Sequence, residues 1–236
     1  MKVSKQARQR ERLAQLKLLS TFERPLTKKV SKIIASQGKT AAAYYTVHKT
    51  VTSEALIQHK LLFKQTLIAS YTRVITAFAN RIRRSVKDDS SSFEAVMKNW
   101  LVHRALETID DIDDTTLEMI RTAIKHGVEQ GWGVNQIAKT IVDATSVEVN
   151  TARAKVIART EMHTASQEGQ LQAAKSTKIK GLTKTWTAAL DNRTRETHSD
   201  ADGQTVDIDD DFTVGGESIS RRRFANRAAR QWRRWR

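Results

Sequence analysis

The sequence contains no cysteine, which excludes a disulfide framework, thiol catalysis, iron–sulfur clusters and cysteine-ligated zinc. Proline occurs once, at Pro25, and glycine occurs nine times in 236 residues, so few helix breakers punctuate the chain. No apolar stretch approaches the roughly 18 residues of a membrane-spanning helix. The first residues lack the apolar core of a secretory signal peptide, and we therefore expect a cytoplasmic origin.

Charge is abundant and unevenly distributed. Lysine and arginine outnumber the acids by 41 to 26, which gives a net charge of +15. Residues 1–87 hold 19 cations and 3 acids, residues 188–220 hold 2 cations and 9 acids, and residues 221–236 hold 8 arginines and no acid. Such blocks indicate docking surfaces of opposite sign, and nucleic acid or another polyanion is the expected partner of the basic ends.

The apolar pattern predicts helix over nearly all of residues 2–175. Leu61, Ile68, Ile75 and Ile82 recur every seven residues and predict a long helix packed in a bundle or against another subunit. Lys64 interrupts one of the would-be core rows, so an irregular bundle is favoured over a continuous coiled coil.

Capping-box spacings predict where two further helices begin. Ser91 with Glu94 and Thr115 with Glu118 each place a hydroxyl three residues before a carboxylate. We therefore expect one helix to begin near Ser91, to end before an acidic turn at 110–114, and a new helix to follow that turn.

The segment Gly131-Trp132-Gly133 marks the next break. It resembles the first half of a helix-turn-helix motif, but no basic recognition helix follows, so an ordinary corner between two helices is expected. Helices over 135–144 and 150–175 complete the series.

The character of the sequence changes at Gly181. Residues 184–190 alternate and predict a strand, 194–200 predict a short helix, and 204–208 predict a second short strand. The fold class is therefore α+β and mostly α, with a long-helix bundle followed by a small C-terminal α+β module.

Two neighbouring stretches, 158–163 and 191–203, hold the densest set of chemically useful side chains. An enzyme would use Glu161 or Asp191 as a base, with His163 or His198 as an imidazole and Arg193 as a phosphate ligand. A metal site could draw its oxygen and nitrogen ligands from Asp191, His198, Asp200 and Asp202, and a metal-dependent nuclease or hydrolase would use Asp191, His198 and either Asp200 or Asp202. No spacing reproduces a compact catalytic motif, however.

An architectural interpretation of the same residues is favoured. Four charged side chains can form bidentate pairs across a helix–strand contact and fix its geometry. They are Arg159 and Glu161 on the helix, and Asp191 and Arg193 after the strand. His198 would then form a core hydrogen bond beside Trp186.

The C-terminal segment 218–236 is rich in arginine and tryptophan. Guanidinium groups on phosphates and indoles on bases would let it bind nucleic acid, while an anionic membrane surface and an unselected tail are the alternatives. The expected nucleic-acid-binding residues are Arg221, Arg222, Arg223, Arg227, Arg230, Trp232, Arg233, Arg234 and Trp235.

The two charged stretches resemble the phage head morphogenesis family, the Mu F-like minor head proteins, over about residues 90–217. The resemblance begins with Ile157-Ala158-Arg159-Thr160-Glu161, Ala165 and Gly169. It continues with Trp186, Asp191-x-Arg193-x-x-x-x-His198, Asp202-Gly203-Gln204 and Asp211-Phe212. The family motif residues in this chain are Arg159, Glu161, Trp186, Asp191, Arg193, His198 and Gly203.

This resemblance implies a non-enzymatic virion component of a tailed phage, made in the host cytoplasm and placed in the capsid interior. It implies association with the portal, scaffold or major capsid protein, contact with packaged DNA, and no membrane. Self-association through the helical region is a further expectation. Many relatives carry cysteines near the Asp-x-Arg segment, but this chain has none, so we expect neither zinc nor another cofactor.

Together, the charge map and the resemblance divide the chain into four regions. Residues 1–87 form a basic helical region for docking to the portal, capsid or DNA. Residues 88–180 form the helical part of the Mu F-like domain, 181–217 form the small α+β module, and 218–236 form the Arg/Trp-rich tail. A metal-dependent hydrolase and a non-specific DNA-binding protein remain the alternative functions.

Overall fold

The structure, a computed structural model, describes residues 3–86, 92–177 and 179–219. Most of these residues belong to five helices: α1 (Lys5–His48), α2 (Ile57–Val86), α3 (Ser92–Glu129), α4 (Val134–Ala144) and α5 (Val147–Ser176). A short 3₁₀ turn, Glu54–Leu56, precedes α2. The predicted fold class, mostly α with a small α+β part at the C-terminal end, is confirmed.

The larger core cluster lies where α1, α2, α3 and α5 meet, and a second cluster includes residues of α1, α3 and α4. Helix α5 packs along both α1 and α2, while α4 packs against α1 and α3. Apolar side chains at spacings of three and four residues form the contact face of α1, for example Leu26, Val30, Ile33 and Ile34. Within the described residues, no helix combines the length and the apolar character needed to cross a membrane.

The single proline lies inside α1, on the exposed side of the helix. Pro25 has no amide hydrogen to donate to the carbonyl of Thr21, four residues earlier. Because Thr21 is also exposed, water can bond that carbonyl, and the helix continues through the proline.

The buried row of α2 differs from the predicted seven-residue seam. Phe63, Leu67, Tyr71, Val74 and Phe78 are fully buried, at spacings of four and three residues. The prediction that the seam is buried is correct at Ile75. Ile68 and Ile82 are only half-buried, however, and Leu61 is 48% exposed. The reason is that α2 packs against α1, α3 and α5 at once, so the face that carries Phe63, Tyr71 and Phe78 turns inward.

The predicted break at residues 110–114 is wrong, because α3 continues without interruption through this acidic stretch. Ile109, Ile112 and Ile120 are fully buried and keep one helical face in the core across it. The Thr115 hydroxyl, predicted to cap a new helix, instead donates to the carbonyl of Asp111 at 2.8 Å. Burial of the isoleucines therefore outweighs the local capping pattern. Ser91, the other predicted cap, lies outside the described residues.

The predicted corner between α3 and α4 is confirmed. Gly131 has a φ of 68° and Gly133 caps the N terminus of α4. The ring of Trp132 packs edge-on against His126, with the ring centroids 5.1 Å apart.

The C-terminal module contains two antiparallel strand pairs and a short helix. Strand β1 (Thr183–Thr185) pairs with β2 (Thr205–Asp207), and β3 (Phe212–Val214) pairs with β4 (Glu217–Ile219). Helix α6 (Glu196–Asp200) lies between β1 and β2 in the chain. The second hairpin turns at Gly215 and Gly216, whose φ angles of 61° and 78° suit glycine.

The first predicted strand is shorter than the 184–190 expected from its alternating pattern. Its pairing ends because the backbone of Ala188 bonds side chains instead of another strand. The Ala188 amide donates to Asp202 Oδ1 at 3.0 Å, and the Ala188 carbonyl accepts from Gln9 Nε2 at 3.1 Å. Leu190 then takes a left-handed conformation with a φ of 56°.

Gly169 lets the backbone of α2 approach α5 closely. A Cβ at this position would lie 3.0 Å from the Cα of Ile75 and 3.1 Å from its carbonyl oxygen, and both belong to the backbone. We expect Gly169→Ala to lose about 1 kcal/mol of unfolding free energy, because the clash exceeds the gain of about 1 kcal/mol in helix propensity. Urea denaturation would measure this loss. The control Gln167→Ala changes an exposed position two residues away, and a larger loss there would contradict the steric explanation.

Candidate functional site

Glu161, from the first predicted stretch, is the centre of a buried polar network. It lies on the apolar face of α5, between Ala158 and Ala165, and is only 2% exposed. Arg104 of α3 binds its carboxylate in bidentate fashion, with Nε 3.0 Å from Oε2 and Nη2 2.8 Å from Oε1. The network therefore ties α5 to α3 through a charge-assisted pair.

Two hydroxyl groups complete the coordination of the same carboxylate. Tyr71 of α2 donates to Glu161 Oε2 at 2.6 Å, and Thr108 of α3 donates to it at 3.2 Å. The ring of Tyr71 also packs edge-on against Trp100, with the ring centroids 5.6 Å apart. Both carboxylate oxygens thus accept hydrogen bonds, and one side chain joins three helices.

Burial and charge shift the pKa values of Tyr71 and Arg104 in this network. Burial raises the pKa of Tyr71 well above its usual value, and the negative charge of Glu161 raises it further. Burial alone would lower the pKa of Arg104, but the attraction of Glu161 raises it, and the net shift is upward. The tyrosine therefore stays neutral and the arginine stays charged at any ordinary pH.

A second polar centre forms where the start of α1 meets the C-terminal module. Arg8 Nη2 donates to Asp202 Oδ2 at 2.8 Å, and the two side chains are only 15% and 8% exposed. Gly203 has a φ of 87°, and a Cβ there would lie 3.0 Å from Arg8 Nη2. With the bond from Gln9 to the Ala188 carbonyl, this contact docks the first turns of α1 on the module.

The predicted pairing of Arg159 and Glu161 with Asp191 and Arg193 is wrong. Arg159, Asp191 and Arg193 are all exposed, and Glu161 pairs with Arg104 instead. Asp191 organises its own turn: Oδ1 accepts from the Thr194 hydroxyl at 2.9 Å and from the Arg193 amide at 3.1 Å. Those bonds lower the pKa of Asp191 below its usual value.

Trp186 lies beside His198, as predicted, and both belong to an aromatic cluster in the module. The core hydrogen bond expected of His198 stays a prediction. The Trp186 ring lies 5.6 Å from the ring of His198 and 5.3 Å from that of Phe212, measured between centroids. The backbone of Trp186 also bonds Gln204 and Gly203, so the motif residues around it form one packed unit.

The four donors predicted for a metal-dependent hydrolase do not form one constellation. Asp202 is engaged by Arg8, while Asp191 and Asp200 are exposed. In the ranges 3–86, 92–177 and 179–219, no group of three or more His, Asp or Glu side chains is placed to hold a metal ion. The predicted nucleic-acid-binding residues of the tail, Arg221 through Trp235, lie outside the described residues.

The partners of Glu161 and Asp202 were not predicted from the sequence. Arg104 carries a usable signal, because it is a lone cation on the row formed by Leu101, Ala105, Thr108 and Ile112. Glu161 is the matching lone acid on the apolar row of α5. Two opposite charges on two apolar faces predict a buried pair, whereas Arg8 is one of many cations in a basic region and carries no such signal.

The C-terminal half of the chain is similar to a known protein family. Residues 118–224 match the model of a family described as phage Mu protein F like protein. This segment is therefore similar to the phage Mu protein F like family. It runs from the second half of α3 to beyond the end of β4. The Mu F-like segment (118–224) thus contains Glu161 and Asp202, whereas Tyr71, Arg104 and Arg8 lie outside it.

Three individual relatives each match a part of the chain. The minor head protein GP7 of Bacillus phage SPP1 is 34% identical over 94 residues, which is 39% of this chain and 30% of GP7. The NAD(+)–arginine ADP-ribosyltransferase EFV of Enterococcus faecalis (strain ATCC 700802 / V583) is 34% identical over 109 residues, 44% of this chain and 22% of EFV. Protein YqbB of Bacillus subtilis (strain 168) is 26% identical over 121 residues, 51% of this chain and 39% of YqbB.

The shared region is thus less than half the length of each of these three relatives. No solved structure matches the chain. The resemblance to phage head morphogenesis proteins is confirmed, and it supports a virion component.

Replacing Asp191 tests the role of its turn. We expect Asp191→Ala to speed hydrogen exchange at the amide of Arg193, because the carboxylate oxygen that accepts its hydrogen bond is lost. The matched variant Asp191→Asn keeps an acceptor oxygen and should retain most of the protection. Equal exchange in all three proteins would contradict this assignment.

The same turn has a defined pH dependence. Since folding lowers the pKa of Asp191, its contribution is present above the carboxyl's unfolded pKa and is lost as the pH falls through the folded pKa. The difference in exchange between the native chain and Asp191→Ala should therefore shrink in acid. A constant difference down to the most acidic pH would contradict the assignment to the ionised carboxylate.

Proposed function

We propose that this protein is a minor head protein of a tailed phage and acts by binding rather than by catalysis. The observation that carries the proposal is the match of residues 118–224 to the Mu F-like family, together with the 34% identity to the minor head protein of phage SPP1. Inside the virion, it would associate with the portal, the scaffold or the major capsid protein.

The geometry of the motif supports a structural role. Glu161, the buried acid of the motif, accepts hydrogen bonds from Arg104, Tyr71 and Thr108, so its oxygens join helices. One carboxylate oxygen of Asp202 accepts a hydrogen bond from Arg8, and the other accepts one from the Ala188 amide. Both acids therefore maintain the arrangement of the elements that the motif connects.

Each of the four regions proposed for the chain would have its own role. Residues 1–87 would dock to the portal, capsid or DNA, and residues 88–180 and 181–217 would form the Mu F-like body. The tail 218–236 would add a second polyanion-binding segment. The strong positive charge of 1–87 is the reason to include packaged DNA among the partners.

Co-assembly tests the proposed partners. The protein would be expressed with the portal, scaffold and major capsid proteins of its own phage, and the particles would be separated by sedimentation. We expect it to co-sediment with procapsids, and omission of the portal shows whether the portal holds it. Failure to bind any of the three proteins would overturn the proposed role.

A nuclease assay tests the alternative function. The purified chain would be incubated with plasmid DNA and Mg²⁺ or Mn²⁺, beside the variant His198→Ala. We expect intact plasmid in both reactions. Nicking by the native chain that disappears in His198→Ala would replace the proposal with the hydrolase alternative.

A further inference from the structure

The exposed side of α1 carries a continuous row of positive charge. Six of its cations repeat at spacings of seven and four residues and are all exposed. They are Arg10, Lys17, Arg24, Lys28, Lys32 and Lys39. At about 100° per residue, they fall within a wedge about 80° wide, roughly opposite the buried face of the helix. We call these six residues the α1 stripe.

The charge of the α1 stripe is not neutralised within the described part of the chain. The ion pairs found there use other cations, among them Arg8, Lys60 and Arg81. Helix α1 itself contains two acids, and neither lies in the wedge of the stripe. Glu11 pairs with Arg81 of α2 at 2.7 Å, and Glu23 points about 140° away from Arg10 around the helix.

The length of the α1 stripe suits a long, regular polyanion. Arg10 and Lys39 are 29 residues apart, which corresponds to about 43 Å along a helix. One turn of duplex DNA spans about 34–36 Å. A duplex lying along the stripe therefore passes all six cations over more than one turn and presents phosphates along the whole distance.

The surroundings of the stripe disfavour a membrane surface. A helix that lies on a membrane inserts an exposed apolar face into the lipid beside its cations. In α1, the apolar face is buried against α5, α4 and α2, and the large exposed apolar residues beside the stripe are few, chiefly Leu13 and Leu16.

We infer that the α1 stripe is the surface that binds duplex DNA, through phosphates and without sequence preference. The inference rests on the proposed contact with packaged DNA and names the surface that makes it. The α1 stripe lies outside the Mu F-like segment. The similarity of that segment to known proteins therefore does not account for DNA binding by α1. Because α1 is packed on the bundle, its cations are already aligned in the free protein, which lowers the entropic cost of binding a duplex.

Three full-length variants test this surface. The first replaces the six stripe residues by glutamine, which preserves helix propensity while removing six charges. The second is the matched control, with glutamine at six exposed cations elsewhere: Arg73, Arg84, Lys98, Arg121, Lys139 and Lys155. The third replaces the eight arginines of residues 221–236 by glutamine. Circular dichroism establishes that each variant is folded.

Binding would be measured by fluorescence anisotropy with a duplex of about 40 bp, at salt from about 50 to 300 mM. We expect the stripe variant to bind at least about tenfold more weakly at the lowest salt. Its slope of log affinity against log salt should be shallower by about 3 to 5, at about one per lost phosphate contact. The control variant should change the slope by less than half as much.

The other outcomes separate the surface from the proposed DNA contact. If the native chain binds DNA and the stripe and control variants lose affinity equally, the stripe assignment is overturned while the DNA contact stands. The stripe assignment is also overturned, and the DNA contact stands, if only the variant of residues 221–236 loses affinity for DNA. If the native chain does not bind the duplex at low salt, both fail. If the stripe substitutions abolish binding to anionic vesicles but not to DNA, the surface belongs to a membrane instead.

Discussion

Glu161→Ala is expected to lower the free energy of unfolding by about 3–5 kcal/mol. The substitution removes the bidentate partner of the buried Arg104 guanidinium, which within the described residues keeps only the exposed Glu107 at 3.6 Å. It also removes the acceptor of the Tyr71 and Thr108 hydroxyls. An unpaired buried charge is costly because neither water nor protein replaces the lost interactions. Urea denaturation followed by far-UV circular dichroism would measure the loss.

Removing the charge of Arg104 as well should reverse most of this effect. In Glu161→Leu combined with Arg104→Met, no buried charge is left, and apolar side chains of similar size fill the space. The control Glu118→Ala changes an exposed acid of α3 and should cost less than about 0.5 kcal/mol. Equal losses in Glu161→Ala and Glu118→Ala would show that Glu161 does not hold the bundle together.

Asp202→Ala is expected to release the C-terminal module from α1, at a cost of about 2–4 kcal/mol. The carboxylate binds Arg8 with one oxygen and the Ala188 amide with the other, and both contacts disappear together. The effect should be local. Hydrogen exchange should accelerate at Ala188 and in the first turns of α1, while the core formed by α2 and α5 keeps its protection.

A double-mutant cycle isolates the ion pair from the rest of the contact. Arg8→Ala should loosen the module nearly as much as Asp202→Ala, and the double variant should add little to either. Arg10→Ala, two residues along on the exposed stripe, is the matched control and should leave the module docked. Fully additive losses in the double variant would show that the two side chains act independently.

The fold could be predicted in outline because its pattern is local. Apolar spacing and glycine positions place α4, α5, the α3–α4 corner and α6 close to their observed bounds. The predicted break in α3 failed for a non-local reason, since the core that buries Ile109 and Ile112 is formed by other helices. The predicted length of β1 was wrong for a similar reason. The backbone of Ala188 forms hydrogen bonds with the side chains of Gln9 and Asp202 instead of with another strand.

The candidate site was predicted as a set of residues but not as a set of contacts. The motif singled out Glu161, which is buried, but its partner Arg104 depends on how α3 lies against α5. The helix–strand pairing assumed for Asp191 and Arg193 would have needed their turn to face α5, and the turn is exposed instead. Spacing along one segment does not specify the angle at which another segment meets it.

The contact between Arg8 and Asp202 also has a consequence for how the protein is made. The two residues are 194 positions apart, so the start of α1 is synthesised long before its partner exists. At roughly 5–20 residues per second, this interval lasts about 10 s or more. During that time, the first turns of α1 carry their cations without the acid that later binds Arg8, and the module can dock only after Asp202 has been synthesised.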